Sequence, residues 1–324
     1  MDFQLTPLQE ELRDNTRKLC EGRFSIAASR AAGGRIDAAA WRDLAAAGVF
    51  SLRLPEDAGG LGLGCTDAAV VFDELGRGLV PGPLVWSSVA AAWGLEGVVG
   101  GTERAERAVS AGRAGRGAGA AVEHLGDLDV LVVLDNEGAW AVDPRALDAT
   151  ELVGLDPLTP VWRVESLPRG ERVAPSAAAR RARLEGAALT AAQLAGVASG
   201  VCELTVGYTK QRHQFNRPVA SFQAVKHALA DMLVRAEMAR VQAYAAAAHL
   251  DEVSLGDPAR AVSAAKIVAA DGARANGRAA VQLHGGMGMT WEVDAHLYLK
   301  RAMVLDLVFG TADEHALALA GGLA

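Results

Sequence analysis

Two stretches carry residue types that could hold a phosphate-bearing ligand. The first, RHQFNRPVASFQAVKHALADM, runs from Arg212 to Met232 and sets Arg212 and Gln214 beside an aromatic, Phe215. A guanidinium is always charged, and its planar fork of donors suits a phosphate. The second, QLHGGMGMTWE, runs from Gln282 to Glu292, and its glycines let a backbone approach a ligand closely and turn amides toward it. Together the two could hold a dinucleotide. Taken alone, the glycines read as a helix C-cap and turn, and the pairing with the first stretch moves the reading toward a ligand. A third stretch, LVFGTADEH from Leu307 to His315, places an aromatic directly before Gly310 and Thr311, where the chain enters its last helix. Thr311 and Glu314 have the spacing of a capping box.

Such residues need long elements to position them. From Arg180 onward the apolar periodicity is helical, in segments of the length that builds a four-helix bundle. Pro218 precedes the helix around Val225, Leu229, Met232 and Leu233. Asp257 and Pro258 supply an N-cap and a first-turn proline for the next helix, expected to end at Gly285 and Gly286. The first hundred residues also read as helices: Leu5, Leu8, Leu12 and Leu19 recur at roughly helical spacing, and Trp41 to Val49 forms another striped segment. Pro55 and a run of glycines make Leu54–Gly64 a loop, after which a helix opens near Thr66 or Asp67 and carries DELGRG at its end. The low-complexity run Gly101–Ala121 marks a boundary. Beyond it LDVLVVLD (Leu128–Asp135), the turn NEG and AWAVD (Ala139–Asp143) read as a β-hairpin, and VWRVE (Val161–Glu165) as a further strand. The expected fold is mostly α with a small β domain, divided into an N-terminal helical domain (1–105), a reduced β-domain (106–178) and a C-terminal four-helix bundle (179–324).

Composition narrows the function classes. A chain of 324 residues, 51% apolar, can bury a large core and holds two or three domains. Its net charge of −7 and the absence of a basic stripe exclude nucleic acid as a partner. The acidic start MDFQLTPLQEELRDN lacks the apolar core of a signal peptide, and no segment is continuously apolar over a membrane's width, so no membrane partner and a cytoplasmic location are expected. Cys20, Cys65 and Cys202 are widely spaced with no CxxC, which points to buried thiols and to no metal site.

With these stretches in view, the sequence resembles the acyl-CoA dehydrogenase family over nearly its whole length. The resemblance is carried by LTPLQEELRD, WRDLAAAGVFSLRLPEDAGGLGLG, FDELGRG, RHQFNRPVASFQAVKHALADM and QLHGGMGMTWE…LKRA…FGT, in family order. It implies the three-domain fold given above, assembled as a dimer of dimers, with FAD at a subunit interface. By the family's motifs, Arg212, Gln214, Phe215, Phe222, Gln223, Gln282, His284, Gly285 and Gly286 would reach the adenosine-pyrophosphate of a neighbouring subunit's FAD. Asn216 stands where the family usually has glycine. The implied chemistry is α,β-dehydrogenation of an acyl-CoA thioester to the 2,3-enoyl-CoA, with a carboxylate taking the α-proton, the β-hydride passing to the flavin, and an electron-transfer acceptor reoxidising it.

The resemblance also exposes an absence. In most members the base is a Glu directly before Gly-Thr, and here that residue is Phe309; in a minority it lies on an earlier bundle helix, at the place of Gly186. Neither can accept a proton, so no catalytic residue is assigned. Among nearby acids, Glu185 is one position away and turned about 100° around its helix. Glu314 is accounted for by the capping box, Asp313 by the acid preference of a first helical turn, and Asp306 as a solvated or interface-paired side chain. The family's flavin-covering loops of the middle domain have no counterpart between Ala120 and Pro175, where Trp140 and Trp162 sit in strand-like runs that suit a core. The chain therefore looks like the short, base-lacking subunit of an actinobacterial α2β2 acyl-CoA dehydrogenase of the steroid type, whose Glu-bearing paralogue supplies the ring side and the base. Two alternatives stay open: a homotetramer using Glu185 or Asp306, and a non-enzymatic protein that keeps the fold for assembly or CoA-ester binding.

Overall fold

A computed structural model of the chain describes residues 4–99, 105–107, 109–110 and 120–322. The run Gly101–Ala121, expected as a boundary, falls for most of its length outside them. Six helices open the chain: α1 (Pro7–Arg23), α2 (Ile26–Ala31), α3 (Ala38–Ala46), α4 (Cys65–Arg77), α5 (Leu84–Ala91) and α6 (Glu96–Val99). Eight strands follow: β1 (Ala105–Arg107), β2 (Val109–Ser110), β3 (Ala120–Glu123), β4 (Val130–Leu134), β5 (Gly138–Val142), β6 (Ala149–Leu152), β7 (Val161–Val164) and β8 (Glu171–Pro175). Then come α7 (Ser176–Gln211), the short strands β9 (His213–Gln214) and β10 (Arg217–Pro218), α8 (Gln223–Asp251), α9 (Pro258–His284), α10 (Ala295–Leu307) and α11 (Ala312–Gly321). The chain forms two compact units that interleave in sequence: 1–22, 69–80 and 187–324 in one, 23–68 and 81–186 in the other.

Helix ends fall where the side chains direct. Asp37 caps α3 by accepting from the Ala39 and Ala40 amides, Asp257 caps α9 with Pro258 behind it, and Gly285 closes α9 at a φ of 63°. The expected capping box of Thr311 and Glu314 starts α11. The helix expected near Thr66 begins at Cys65, with Asp67 accepting from the Gly64 amide at 2.9 Å.

In the unit that holds the strands, two four-stranded sheets run in the orders β1-β4-β5-β8 and β2-β3-β7-β6; β1 is parallel to β4 and the other pairs are antiparallel. The expected hairpin is β4–β5, its turn tied by Asp135, whose carboxylate accepts from the Glu137 and Gly138 amides. Val122, Leu131, Val142 and Val164 form a buried cluster with Trp162, which is therefore core. Trp140 is buried too, with the Arg169 guanidinium 3.7 Å from its ring centroid. Strands β3, β6 and β8, of four or five residues each, were not anticipated: too few positions alternate for a period to show.

In the other unit α9 packs against α8, α10 and α11. Alanine lines this core, and the helices approach closely where side chains vanish. A Cβ on Gly76 would lie 2.0 Å from the Gln193 carbonyl, and one on Gly196 would lie 1.8 Å from that of Asp73, so the glycine of DELGRG is a contact between α4 and α7. The acids of that motif are buried and paired, Asp73 with Arg240 at 2.8 Å and Glu74 with Arg17 and Arg77, both at 2.7 Å. The three cysteines are buried as expected. Helix α7 is long and apolar enough by composition to cross a membrane, but 89% of its most apolar window is buried within the protein.

Candidate cofactor edge and vacant base positions

Helices α8 and α9 pack along one another and are joined by a short connection, so the start of α8 and the end of α9 lie at one end of the bundle. The end of α7 joins them there. Tyr208 stacks on His284 with ring centroids 4.1 Å apart and donates a hydrogen bond to the His284 carbonyl at 3.3 Å. One turn later the Arg212 amide donates to the Tyr208 carbonyl, and the chain enters the β9–β10 hairpin. The structure thus brings the two ligand-competent stretches to one edge.

Their side chains divide into those that face out and those that do not. Arg212 is exposed and makes no ion pair or side-chain hydrogen bond among the described residues. The Gln214 side chain is exposed and donates to the His213 carbonyl at 2.9 Å, while Gln223 meets His227 at 3.1 Å and Gln282 is exposed. Phe215 leaves 86% of its surface open to solvent. Phe222 is half-buried, in an edge-to-face arrangement with Phe215 at 6.1 Å between ring centroids and with the Arg217 guanidinium 4.0 Å from its own ring centroid. Gly285 and Gly286 border open space, since a Cβ on either would meet no atom within 4 Å. A side chain there would fill the gap that leaves their backbone accessible. His284, expected to face the ligand, points inward instead: it is 3% exposed, and its Nδ1 donates to the Ala280 carbonyl at 2.7 Å. Its ring is a joint between α7 and α9.

The hairpin turn explains Asn216. Phe215 and Asn216 have φ of 52° and 59°, the double left-handed conformation of a two-residue type I′ turn. Glycine does this without strain, and asparagine is among the few other residues that adopt it routinely. The departure from the family pattern therefore keeps the turn. Tyr208 and Arg217 were missed by sequence reasoning: Tyr208 precedes the first stretch and acts through a tertiary neighbour, and Arg217, inside that stretch, shows its place only in its stacking over Phe222.

The two positions at which the resemblance leads one to expect a base have different surroundings. Gly186 follows Glu185, whose carboxylate oxygens are each held at 2.6 Å, one by Arg53 and one by Arg181. Burial acts to raise the Glu185 carboxyl, but Arg53 and then Arg181 outweigh it and hold it below its ordinary value. A carboxylate so stabilised is a weak base, and both of its oxygens are already engaged. Phe309 is buried with a φ of 57°. Asp306, expected as a solvated or interface-paired side chain, is instead 7% exposed and paired internally: one oxygen accepts from the Ala312 amide at 3.0 Å, the other from Arg274 at 2.7 Å. The helix end folds back over it, which linear spacing does not reveal. Glu314 accepts from the Thr311 amide at 2.9 Å, as the capping box requires.

Comparison with known proteins places this geometry. Residues 6–107 match the acyl-CoA dehydrogenase N-terminal domain and residues 177–323 the acyl-CoA dehydrogenase C-terminal domain. The acyl-CoA dehydrogenase FadE34 of Mycobacterium tuberculosis is 36% identical over 82% of the chain, which spans 40% of that protein's length. The acyl-CoA dehydrogenase IpdE2 of the same organism is 33% identical over 92% of the chain and 92% of its own length. Among solved structures, a variant of the Tcur3481–Tcur3483 steroid ACAD superposes with a TM-score of 0.85 at 27% identity, covering 97% of this chain and 96% of that one.

Proposed function

Because this chain belongs to the acyl-CoA dehydrogenase family of oxidoreductases, we propose that it is the base-lacking subunit of a heteromeric, FAD-dependent acyl-CoA dehydrogenase. Its task in that reading is to hold the adenosine-pyrophosphate of FAD for a Glu-bearing paralogue in an α2β2 tetramer. The observation that carries this is a contrast: the bundle edge offers an unpaired guanidinium and open glycine backbone, while both family base positions hold residues that cannot take a proton.

The residues at the edge fit a pyrophosphate. Arg212 would supply a fork of donors with a full charge, Gln214, Gln223 and Gln282 neutral donors, and Gly285 and Gly286 accessible backbone. Phe215 and Phe222 would offer aromatic faces, and His284 holds the end of α9 beneath them. When bound, FAD supplies the hydride acceptor of α,β-dehydrogenation. The ring side is another matter, since Trp140 and Trp162 are both buried in this chain's own β layers and offer it no cover. The acyl-CoA substrate, the ring and the base belong on this reading to the partner. A bulky acyl group such as a steroid side-chain CoA ester is the proposed substrate, in keeping with the steroid ACAD named above. The division at 1–105, 106–178 and 179–324 and an external electron-transfer acceptor are parts of the same proposal.

Glu185 does not rescue the homotetramer, because its charge is committed to Arg53 and Arg181. The deciding experiment is co-expression with a Glu-bearing paralogue encoded alongside, followed by mass determination and flavin content. The expected result is an active α2β2 complex with half as many FAD molecules as chains. A yellow, active homotetramer, or one flavin per chain in the complex, would overturn it.

A further inference from the structure

Helix α9 carries one of the chain's few lysines, Lys266, inside the apolar run SAAKIVAA, and the side chain is fully buried. Its ammonium donates to three carbonyls, those of Leu305 at 3.2 Å, Asp306 at 2.8 Å and Gly310 at 2.7 Å. An ammonium has three protons, and each finds an acceptor. All three acceptors belong to the end of α10 and the strap leading into α11.

The same strap is tied from other sides. His315 meets the Phe309 carbonyl through Nε2 and Ser263 through Nδ1, each at 3.1 Å. The Asp306 carboxylate takes the Ala312 amide and Arg274, and Thr311 with Glu314 caps the helix beyond. Between these ties Phe309 sits at φ 57° and Gly310 at φ 102°. A glycine is needed at 310 for its backbone and for room, since a Cβ would come within 3.0 Å of the His315 ring. A bulky aromatic in the left-handed region is strained, and such strain persists only where surrounding bonds over-determine the backbone.

We propose that Lys266 is the positioning residue of this strap, setting the left-handed backbone at 309 and with it the direction in which the side chain at 309 leaves, whatever that side chain is. On the proposed function, position 309 is where most family members carry the base, and here the clamp holds a phenylalanine at that position. Only the meaning given to position 309 rests on the proposed function; the clamp is a property of this chain.

The charged and titratable groups around Lys266 are Arg274 on its own helix, Asp306 on α10, and Glu314 and His315 on α11. Burial pulls the ammonium down to about 8, against the pull of Asp306 in the opposite direction. Losing its proton removes one donor from three carbonyls. A neutral amine still has two donors, and opening the strap would return the side chain to water and its ordinary value of 10.5, so by linkage the closed strap gains stability as pH rises through about 8.

Two variants at 309 read the backbone directly. In the full-length chain, within whatever complex it purifies in, Phe309→Ala and Phe309→Gly lose the same aromatic but differ in tolerance of positive φ. With Lys266 intact, Phe309→Gly should be about 5- to 30-fold more resistant to unfolding in its equilibrium constant than Phe309→Ala, from the roughly 1–2 kcal/mol cost of a left-handed non-glycine residue. With Lys266→Met added, the strap relaxes and that ratio should fall to near one. An unchanged ratio would overturn the proposal. Should Lys266→Met fail to fold, the wild-type chain still decides: amide-exchange protection of the 305–315 peptide, normalised to a core peptide of α8, should rise by about tenfold between pH 7 and pH 9, because the opened strap holds the lysine's proton more tightly than the closed one. A flat profile would be equally fatal. Flavin content enters neither measurement, so failure here and failure of the cofactor reading are told apart.

Discussion

Two charged regions of this molecule are handled in opposite ways. At the bundle edge Arg212 lies in the open with no carboxylate of the described residues against it, whereas Glu185 is nearly enclosed and has an arginine on each oxygen. A charge left without an internal partner keeps its full capacity for an external one, and solvent holds it at little cost until a ligand arrives. A buried carboxylate between two guanidinium groups has spent that capacity on the fold. Glu185 is thus structural, whereas Arg212 has no internal partner among the described residues.

The largest effect expected from breaking this contrast is at the closed end. Arg53→Met leaves the Glu185 carboxylate buried with only Arg181 beside it, and should cost about 3 kcal/mol in denaturant unfolding. The same pair predicts an acid dependence. The folded Glu185 carboxyl is held below its unfolded value, so its stabilisation is complete above the ordinary glutamate value of 4.5 and is lost as pH falls below it. Glu185→Gln should flatten that part of the stability curve, and an unchanged acid limb would mean the pair does not contribute.

At the open end the effect falls on the ligand. Arg212→Ala should weaken FAD retention by roughly 10- to 150-fold, the equivalent of a hydrogen bond to a charged group, while unfolding shifts by less than about 0.5 kcal/mol. Flavin content after dialysis of assembled complexes of equal mass measures it. Equal retention would remove Arg212 from the cofactor edge.

The hairpin itself should respond more gently. Asn216→Ala places an ordinary residue at φ 59° and should cost about 1 kcal/mol, whereas Asn216→Gly should change stability by only a few tenths. If both cost the same, the turn is not what holds Arg212 and Gln214 in place. The smallest expected change is in catalysis at the closed end: with folding verified, Glu185→Gln should alter turnover of the complex by less than about twofold, against the 10² to 10⁴ that removal of a general base costs. A loss on that scale would return the base to this chain.

Much of this arrangement is legible along the chain because it depends on local chemistry. The caps at Asp257 and Thr311, the stop at Gly285 and the β4–β5 hairpin each involve residues a few positions apart, and a local rule suffices to find them. That positions 186 and 309 cannot serve as bases is legible too, since a phenylalanine and a glycine lack the atoms to take a proton wherever they are placed. Less legible are the strands with too few alternating positions and the inward turn of His284, which depends on Tyr208, far back in sequence on α7.

The amino-acid sequence by itself determined the helical framework, the family and the residue types at positions 186 and 309, because periodicity, capping and side-chain identity do not depend on what lies across the fold. Only the tertiary structure decided what each charge is for. Arg53 lies 132 positions from Glu185 and Lys266 lies 44 from Gly310, so nothing in either neighbourhood announces the partner. Burial decides the rest: a charge carried out of water must find its counter-charge or carbonyls within hydrogen-bonding distance, and three-dimensional packing alone selects which of the chain's many arginines, acids and carbonyls those will be.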